Sequence, residues 1–305
     1  MRILITGIGG FVGPRLARYL LARGDEVAGT YLDPRPDLPD LQGVALHEAD
    51  LLDVPALARV IAVTDPEAVV NLAGLSHVGE SWKRMGEYFR VNVLGTENLL
   101  KAAAGRRVLV ASSAEVYGAV AIERQPIREK ETVDPRTPYA MTKAATERLA
   151  YAHGAVVVRA FNLVGPGQAP TFALPAFAAQ LAAITRGEQE PVLRVGNLSA
   201  RRDFLHVDDG AVALRLLLER GEAGGTYNLA SGTAVSIGEA LERLQRVSGV
   251  NARVETDPER MRPVDLPLLL GDNHRLAALG WTPERTLDEA LADLWLAVSS
   301  QRTMR

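Results

Sequence analysis

The feature that most constrains the fold is a glycine-rich turn at the start of the chain. Three glycines, spaced three residues apart, follow the apolar run Arg2–Thr6 and open the amphipathic stretch Val12–Arg23. In such a strand–turn–helix unit the first glycine permits a tight turn, the second lets a pyrophosphate approach the backbone, and the third lets the helix pack on the strand. The helix N-terminus also offers free N–H groups to phosphate. The turn therefore predicts a dinucleotide-binding site formed by Gly7, Gly10, Phe11, Val12 and Gly13.

The first half of the chain alternates apolar runs with amphipathic stretches. The runs are Arg2–Thr6, Glu26–Tyr31, Ala68–Leu72, Arg107–Ala111 and Ala155–Arg159. This alternation predicts parallel strands joined by helical crossovers, and continuously apolar strands fit a sheet that is covered on both faces. The sequence therefore predicts an α/β fold with a doubly wound, Rossmann-like parallel sheet.

The pattern changes at Gly165-Pro166-Gly167, after which strands and helices alternate less regularly. We predict a smaller C-terminal α/β lobe that binds the substrate. The dinucleotide-binding domain is expected to comprise residues 1–165 and about 205–228, and the substrate lobe about 166–204 and 229–305. The helices predicted after the break lie at Val207–Arg220, from about Ser236 to Val247, and at about Leu287–Ser299.

Composition excludes several classes of function. The formal charge of −3 provides no basic field for nucleic acid, so no nucleic-acid partner is expected. The chain has no cysteine, which excludes disulfides, thiolate catalysis and cysteine-ligated metals, and we predict no metal site. Gly7 interrupts the first apolar run before it reaches signal-peptide length, and no run approaches the roughly 20 residues of a membrane span. A cytoplasmic protein that does not contact a membrane is expected.

Two acidic residues are candidates for binding the adenosine half of the dinucleotide. Asp33 lies 20 residues after Gly13, about the spacing at which an acid holds a ribose 2′-hydroxyl and favours NAD(H) over NADP(H). Arg35 is the alternative, since it would face a 2′-phosphate. Asp50, next to Leu51, is placed to accept a hydrogen bond from the adenine amine; the alternative is that Asp50 caps the following helix.

Tyr139 and Lys143 are four residues apart and lie on one helical face. A phenol with a pKa near 10 relays protons poorly at neutral pH, but an adjacent ammonium and a positively charged nicotinamide ring would both lower that pKa. Upstream, Ser113 and Glu115 follow the end of an apolar run, where open parallel sheets place their ligands. Ser113 is therefore placed to hydrogen-bond the reacting oxygen beside Tyr139.

These motifs together resemble the extended short-chain dehydrogenase/reductase superfamily, which includes nucleotide-sugar epimerases, dehydratases and reductases. The resemblance covers nearly the whole chain. It implies that Tyr139 is the acid/base, that Lys143 lowers its pKa and holds the nicotinamide ribose, and that Ser113 positions the sugar oxygen. It further implies that Leu72 and Ala73 line an NAD(H) or NADP(H) cofactor and that Asn92 buttresses the site, with helix capping as the alternative for Asn92. By analogy, a homodimer is expected through the helix that carries Tyr139 and the one before it.

Within the superfamily the chain is most similar to the GDP-mannose branch. Asn162, before Gly165-Pro166-Gly167-Gln168, resembles the opening of a sugar-nucleotide pocket, and Arg202 and Arg262 are the candidate clamps for the diphosphate of a GDP-sugar. A reductase that converts GDP-4-keto-6-deoxy-mannose to GDP-rhamnose ranks first. A GDP-mannose 4,6-dehydratase ranks second, because Glu115 lies where its carboxylate base would be. A 4-epimerase ranks third, and a dinucleotide sensor without catalytic activity is the distant alternative.

Overall fold

Seven parallel strands form the central sheet of the computed structural model, which describes residues 1–38, 41–261 and 266–300. The strand order is β10-β6-β5-β4-β1-β2-β3, and each neighbouring pair is parallel. The chain reverses direction across the sheet between β1 and β4, which is the point where doubly wound sheets bind ligands beyond the carboxyl ends of their strands. The strands of this sheet are β1 (Arg2–Thr6), β2 (Glu26–Tyr31), β3 (Ala45–Glu48), β4 (Ala68–Asn71), β5 (Arg107–Ser113), β6 (Val156–Ala160) and β10 (Thr226–Leu229).

Helices cover both faces of this sheet because its strands are apolar on both sides. One face packs on α1 and α8 through side chains such as Leu16, Leu20 and Leu214. The other packs on α2 and α5 through Leu57 and Leu99. The α-helices of residues 1–220 are α1 (Gly13–Ala22), α2 (Val54–Thr64), α3 (Val78–Lys83), α4 (Met85–Tyr88), α5 (Gly95–Ala102), α6 (Pro138–Ala152), α7 (Ala173–Thr185) and α8 (Val207–Arg220).

A second core lies between α7, α9 and α11, where Phe177, Leu244 and Leu294 are buried. Two small sheets join it: β9 pairs with β7, β11 and β13, and β8 pairs with β12. The remaining elements are β7 (Asn162–Val164), β8 (Val192–Val195), β9 (Arg201–His206), β11 (Ala234–Ser236), α9 (Ile237–Ser248), β12 (Arg253–Thr256), β13 (Leu268–Leu269), α10 (His274–Ala278) and α11 (Leu287–Ser299).

The predicted fold class is confirmed, and α8 and α11 have the predicted bounds. Strands β7, β8 and β9 lie outside the central sheet, but the chain then returns to it. Helix α8 packs on α1, and β10 is an edge strand of the central sheet. The division into two lobes at the predicted bounds stays a prediction. None of the described helices is long and apolar enough to cross a membrane.

Candidate active site

The turn between β1 and α1 has the close approaches that its glycines predict. Gly7 has a φ of +68°, and a Cβ there would lie 2.8 Å from the Cα of Ala73. A Cβ at Gly13 would overlap the carbonyl of Ile8, so the third glycine lets α1 pack against the strand end. Within the described chain no side chain caps the N-terminus of α1, which leaves its N–H groups to bind an anion. This cradle, with Gly10 exposed in its middle, fits the pyrophosphate of a dinucleotide.

Side-chain hydrogen bonds lock the carboxyl ends of β1 and β4 together. The hydroxyl of Thr6 donates to Asn71 Oδ1 over 2.7 Å, and Asn71 Nδ2 donates to Thr96 Oγ1 over 3.0 Å. The backbone N–H of Ala73 donates to Thr6 Oγ1 over 3.4 Å. Leu72 and Ala73 are therefore held beside the glycine turn, where the chain reverses direction across the sheet.

The candidate adenosine residues follow the next two strands of the sheet. Asp33 and Arg35 are both exposed after β2, so both alternatives for the ribose remain open. Asp50, after β3, accepts a hydrogen bond from the N–H of Leu52 over 2.9 Å. The helix-cap alternative for Asp50 is wrong, because Asp53 caps α2 by accepting from Ala56 N over 2.9 Å. The adenine assignment for Asp50, with the adjacent buried Leu51, stays a prediction.

Tyr139, Lys143 and Ser113 come together at the carboxyl end of β5. Tyr139 lies in the first turn of α6, which Thr137 caps through Ala140 N. Lys143 Nζ lies 5.9 Å from the centroid of the Tyr139 ring and donates to the carbonyl of Ala111 over 2.8 Å. The Ser113 side chain lies close enough to the Tyr139 phenol to lower its pKa. The arrangement offers a phenol proton, a hydroxyl and an ammonium to one reacting oxygen.

Burial sets the protonation behaviour of this group. It raises the pKa of Tyr139, while the nearby Ser113 side chain lowers it and the negative charge of Glu115 raises it further. Desolvation thus outweighs the effect of Ser113, and the lowering expected from Lys143 and a bound nicotinamide ring together stays a prediction. Burial also lowers the pKa of Lys143 to about 8, and Glu147 partly opposes that change.

Glu115 lies on the 3-10 turn that follows β5, half-buried, and its N–H donates to Ser113 Oγ over 3.2 Å. The neighbouring Ala114 is 1% exposed and has no proton to donate. Glu115 thus places a carboxylate near the Tyr139 phenol, whereas Ala114, the residue before it, offers only a methyl group.

Asn92 lies inside a π-helical turn, Phe89–Leu94, that connects α4 to α5. Its Oδ1 accepts from Leu75 N over 2.8 Å, and its Nδ2 donates to Leu75 O and to Thr142 Oγ1, each over 3.0 Å. The helix-capping alternative for Asn92 is wrong, because the residue is within a helical run. π-Helical turns are frequent at functional sites, and this one ties the segment after β4 to the helix that carries Tyr139.

A cavity of about 500 Å³ lies beside this group, bordered by β7, β9 and the segment that leads into α7. Asn162 and Arg202 both line it. Asn162 Nδ2 donates to the carbonyl of Asp203 over 3.0 Å, and Arg202 Nη1 donates to the carbonyl of Leu266 over 2.7 Å. Arg262, the other predicted clamp, lies outside the described residues. Tyr139 is not among the described residues that line this cavity.

His77 lines the cavity and is linked to Tyr139 through Tyr88. Its Nε2 lies 3.3 Å from the carbonyl of Thr171, and its ring packs edge-on against Phe172, with 5.9 Å between centroids. The hydroxyl of Tyr88 donates to His77 O over 2.7 Å, and the Tyr88 ring packs edge-on against Tyr139. Tyr88 was not predicted from the sequence, where its spacing of four residues from Asn92 was the available signal.

A second polar cluster lies at the start of α8. His206, Asp208 and Asp293 place candidate ligand atoms within 4.8 Å of one another. However, His206 Nδ1 accepts from Asp208 N over 3.0 Å, and Nε2 lies 3.3 Å from Asp293 Oδ2. Both ring nitrogens are engaged, so we assign His206 to capping α8.

Comparisons with known proteins identify relatives that cover nearly the whole chain. The family model described as GDP-mannose 4,6 dehydratase matches residues 4–294. A GDP-6-deoxy-D-mannose reductase from Pseudomonas aeruginosa is 37% identical over 301 residues, which cover 95% of this chain and 94% of the relative. A GDP-mannose 4,6-dehydratase from Vibrio cholerae is 29% identical over 350 residues, covering 96% of this chain and 92% of the relative.

Two solved structures superimpose on nearly the whole chain. The structure of RMD from P. aeruginosa complexed with NADPH superimposes with a TM-score of 0.85 at 34% identity, covering 98% of this chain and 99% of that chain. A UDP-glucose 4-epimerase from Thermus thermophilus, complexed with NAD, has a TM-score of 0.88 at 29% identity and the same coverage of both chains.

Proposed function

The chain belongs to the GDP-mannose 4,6-dehydratase family, and we propose that it reduces GDP-4-keto-6-deoxy-mannose at C4 of the sugar to form GDP-rhamnose. It is a nicotinamide-dependent enzyme of the extended short-chain dehydrogenase/reductase type. The observation that carries the proposal is the meeting of Tyr139, Ser113 and Lys143 at the carboxyl end of β5. The similarity to the P. aeruginosa reductase over 95% of the chain supports the choice of reaction.

Each of the three side chains has a distinct role in the proposed reaction. A bound nicotinamide supplies the hydride for C4. Ser113 donates a hydrogen bond to the C4 oxygen and holds it beside the Tyr139 hydroxyl. As the carbonyl oxygen becomes an alkoxide, it takes the phenol proton, and the Tyr139 O–H bond breaks. The Lys143 ammonium stabilises the resulting phenolate until solvent returns the proton.

The cavity beside this group is proposed to hold the GDP moiety. Arg202 is 8% exposed on the wall of the cavity, and a guanidinium binds phosphate oxygens in a bidentate manner. Asn162 extends the polar part of the same wall. The dinucleotide is proposed to bind on the glycine turn, Gly7 to Gly13, and on the adjacent segment Leu72–Ala73.

A dehydratase is the second candidate, because Glu115 raises the Tyr139 pKa through its charge and so lies near the reacting group. Elimination needs a base to take the proton from C5, whereas 4-keto reduction breaks no C–H bond of the sugar. We therefore expect Glu115→Gln to keep 4-keto reduction within about tenfold of wild type, since the amide preserves the shape, and to abolish any dehydratase activity. Loss of both activities together would count against the reductase assignment.

We further propose that NAD(H) is the preferred cofactor. Asp33 is exposed two residues after β2, where a carboxylate can bind the ribose diol and repel a 2′-phosphate. Asp33→Ser should then narrow the preference for NAD(H). A wild-type preference for NADPH of about tenfold or more would show that Arg35 governs this end of the site.

We also propose a homodimer. Large apolar side chains are exposed on the helices around Asn92 and on α6, and exposed apolar surface of this kind marks protein contacts. Sedimentation velocity should show a dimer that Phe89→Glu weakens, and a wild-type monomer at micromolar concentration would contradict this. The exposed apolar side chains on these helices are Trp82, Met85, Phe89, Leu94 and Met141.

A further inference from the structure

A buried ion pair lies behind the catalytic group. Glu147 is on α6, one turn after Lys143, and Arg159 is on β6; their exposed fractions are 2% and 4%. Arg159 Nε donates to Glu147 Oε1 over 2.8 Å, and Arg159 Nη2 donates to Glu147 Oε2 over 2.7 Å. This bidentate geometry fixes the relative orientation of the helix and the strand.

The same carboxylate reaches the strand that carries Ser113. Ser112 Oγ donates to Glu147 Oε1 over 2.6 Å, and Tyr151 OH donates to Glu147 Oε2 over 3.2 Å. Arg159 Nη1 donates to the carbonyl of Glu129 over 3.0 Å. The pair therefore joins α6, β5 and β6 immediately behind Ser113 and Lys143.

Stability alone does not account for such an arrangement. Removing two charges from water costs several kcal/mol per ion, and apolar residues of similar volume often stabilise a fold as well or better. What an apolar pair would not provide is a bond to the neighbour of Ser113 and a negative charge one helical turn from Lys143.

We propose that Glu147, held by Arg159, is a positioning residue that fixes Ser113 relative to Tyr139 through Ser112 and favours the ammonium form of Lys143. This inference rests on the proposed function in assigning Ser113, Tyr139 and Lys143 to catalysis. Glu147 itself does not touch the reacting atoms in this account.

The charge part of the proposal depends on what surrounds Lys143. The titratable and charged groups on α6 and on the elements packed against it are Tyr139, Glu147, Arg148 and Tyr151 on α6, Arg107 on β5, Glu115 and Tyr117 in the turn after β5, Arg159 on β6, Glu80 and Lys83 on α3, Glu87 and Tyr88 on α4, Arg90 in the π-helical turn, and Glu97 and Lys101 on α5. Among them, Glu147 is the group whose charge acts on Lys143 and raises its pKa against the effect of burial. Removing that charge should therefore release the lysine proton at lower pH.

The direct test is the pH dependence of Lys143 acetylation by acetic anhydride in the full-length protein, followed by peptide mass spectrometry. Only the neutral amine reacts, so the midpoint reports the protonation of Lys143. Glu147→Gln should lower the midpoint by about half a pH unit or more. Asp25→Asn is the matched control, because Asp25 forms another buried pair with Arg215, at 2.7 Å, that joins the start of β2 to α8. This control should leave the midpoint at the wild-type value.

An unchanged midpoint in Glu147→Gln, or an equal shift in Asp25→Asn, would overturn the proposal. If Glu147→Gln fails to fold, Ser112→Ala tests the positioning part, because it removes only one hydroxyl. That variant should lower kcat about tenfold at unchanged KM for the nucleotide sugar, and an unchanged kcat would overturn this part. The labelling needs no substrate, so a wild type that labels as expected but reduces no 4-keto sugar would contradict only the proposed function.

Discussion

Tyr139 is 7% exposed and lies near Ser113, while Lys143 is half-buried one turn along the same helix. Burial acts on the two groups in opposite directions, since it disfavours the charged form of each: it raises the pKa of the phenol and lowers that of the ammonium. A buried acid and a buried base with shifted pKa values are a frequent feature of proton-transfer sites.

Replacing Tyr139 by Phe removes the proton that the C4 oxygen takes in the proposed reaction. We expect turnover to fall by roughly 10²–10⁴, the usual contribution of a positioned acid, with little change in nicotinamide affinity. The measurement is steady-state kinetics together with a cofactor titration. Tyr19→Phe on α1 is the control and should leave turnover unchanged. Near-normal turnover of the Tyr139 variant would remove Tyr139 from the mechanism.

Lys143 predicts an alkaline limit to activity. Its pKa is lowered to about 8, so the proposed role of the ammonium is fulfilled below that pH and lost as the pH rises through it. The profile of kcat/KM against pH should fall with an apparent pKa near 8. Arginine keeps its charge throughout this range, so Lys143→Arg should lose that limb even if its activity is low. An identical limb in both proteins would assign the titration to another group.

The same shift has a consequence for stability. Because the folded-state pKa lies below the ordinary value of 10.5, the unfolded chain binds more protons between those two values. Lys143 therefore destabilises the fold below about pH 8, and this penalty is relieved as the pH rises toward 10.5. At neutral pH, Lys143→Met should therefore unfold at a higher temperature than wild type in thermal denaturation, and a lower unfolding temperature would contradict this.

At the scale of the elements, the turn between β1 and α1 depends on a left-handed residue in close contact with the segment after β4. Gly7 and Gly24 both have a positive φ, +68° and +79°, but only Gly7 has a neighbour within 4 Å. Gly24→Ala should cost about 1–2 kcal/mol, the ordinary penalty for a left-handed side chain. Gly7→Ala should cost more and weaken nicotinamide binding by about tenfold or more, because Ala73 has to move. Equal effects in thermal denaturation and cofactor titration would contradict this reading of the turn.

The elements that could be predicted are those whose ends carry a local signal. α9 begins at Ser236 with a capping box to Glu239, and α11 begins at Thr286 with another to Glu289. β12, by contrast, is short, partly exposed and contains charged residues, so its sequence lacks the apolar pattern of a strand. The π-helical turn around Asn92 was also missed, because it differs from an α-helix by one inserted residue and has no composition of its own.

At the scale of the whole molecule, the candidate site joins segments that are distant in the sequence. The spacing of Tyr139 and Lys143 predicted their proximity because one helix carries both. The Glu147–Arg159 pair and the contact of His77 with Thr171 depend on how helix, strand and loop pack, and no spacing in the sequence encodes that. Motifs thus predicted the chemistry of the site, whereas the residues that hold it in place required the fold.

The position of Arg202 predicts a defect confined to the nucleotide sugar. Arg202→Ala should weaken substrate binding by about 1.5–3 kcal/mol through loss of a charge-assisted hydrogen bond, with nicotinamide affinity nearly unchanged. Arg194, exposed on β8, is the control, and Arg194→Ala should bind the substrate as wild type does. Calorimetric titration with GDP provides the measurement. An equal loss of cofactor affinity in the Arg202 variant would place this arginine at the dinucleotide instead.

The reductase assignment is tested most directly with the wild-type enzyme and two sugars. Given GDP-4-keto-6-deoxy-mannose and a reduced nicotinamide, the enzyme should consume one cofactor per sugar and form a product heavier by two hydrogen atoms. Given GDP-mannose without added nicotinamide, it should form no 4-keto-6-deoxy product, since GDP-mannose has no 4-keto group to reduce and a reductase does not remove water. Conversion of GDP-mannose with the loss of one water would contradict the account and identify a dehydratase.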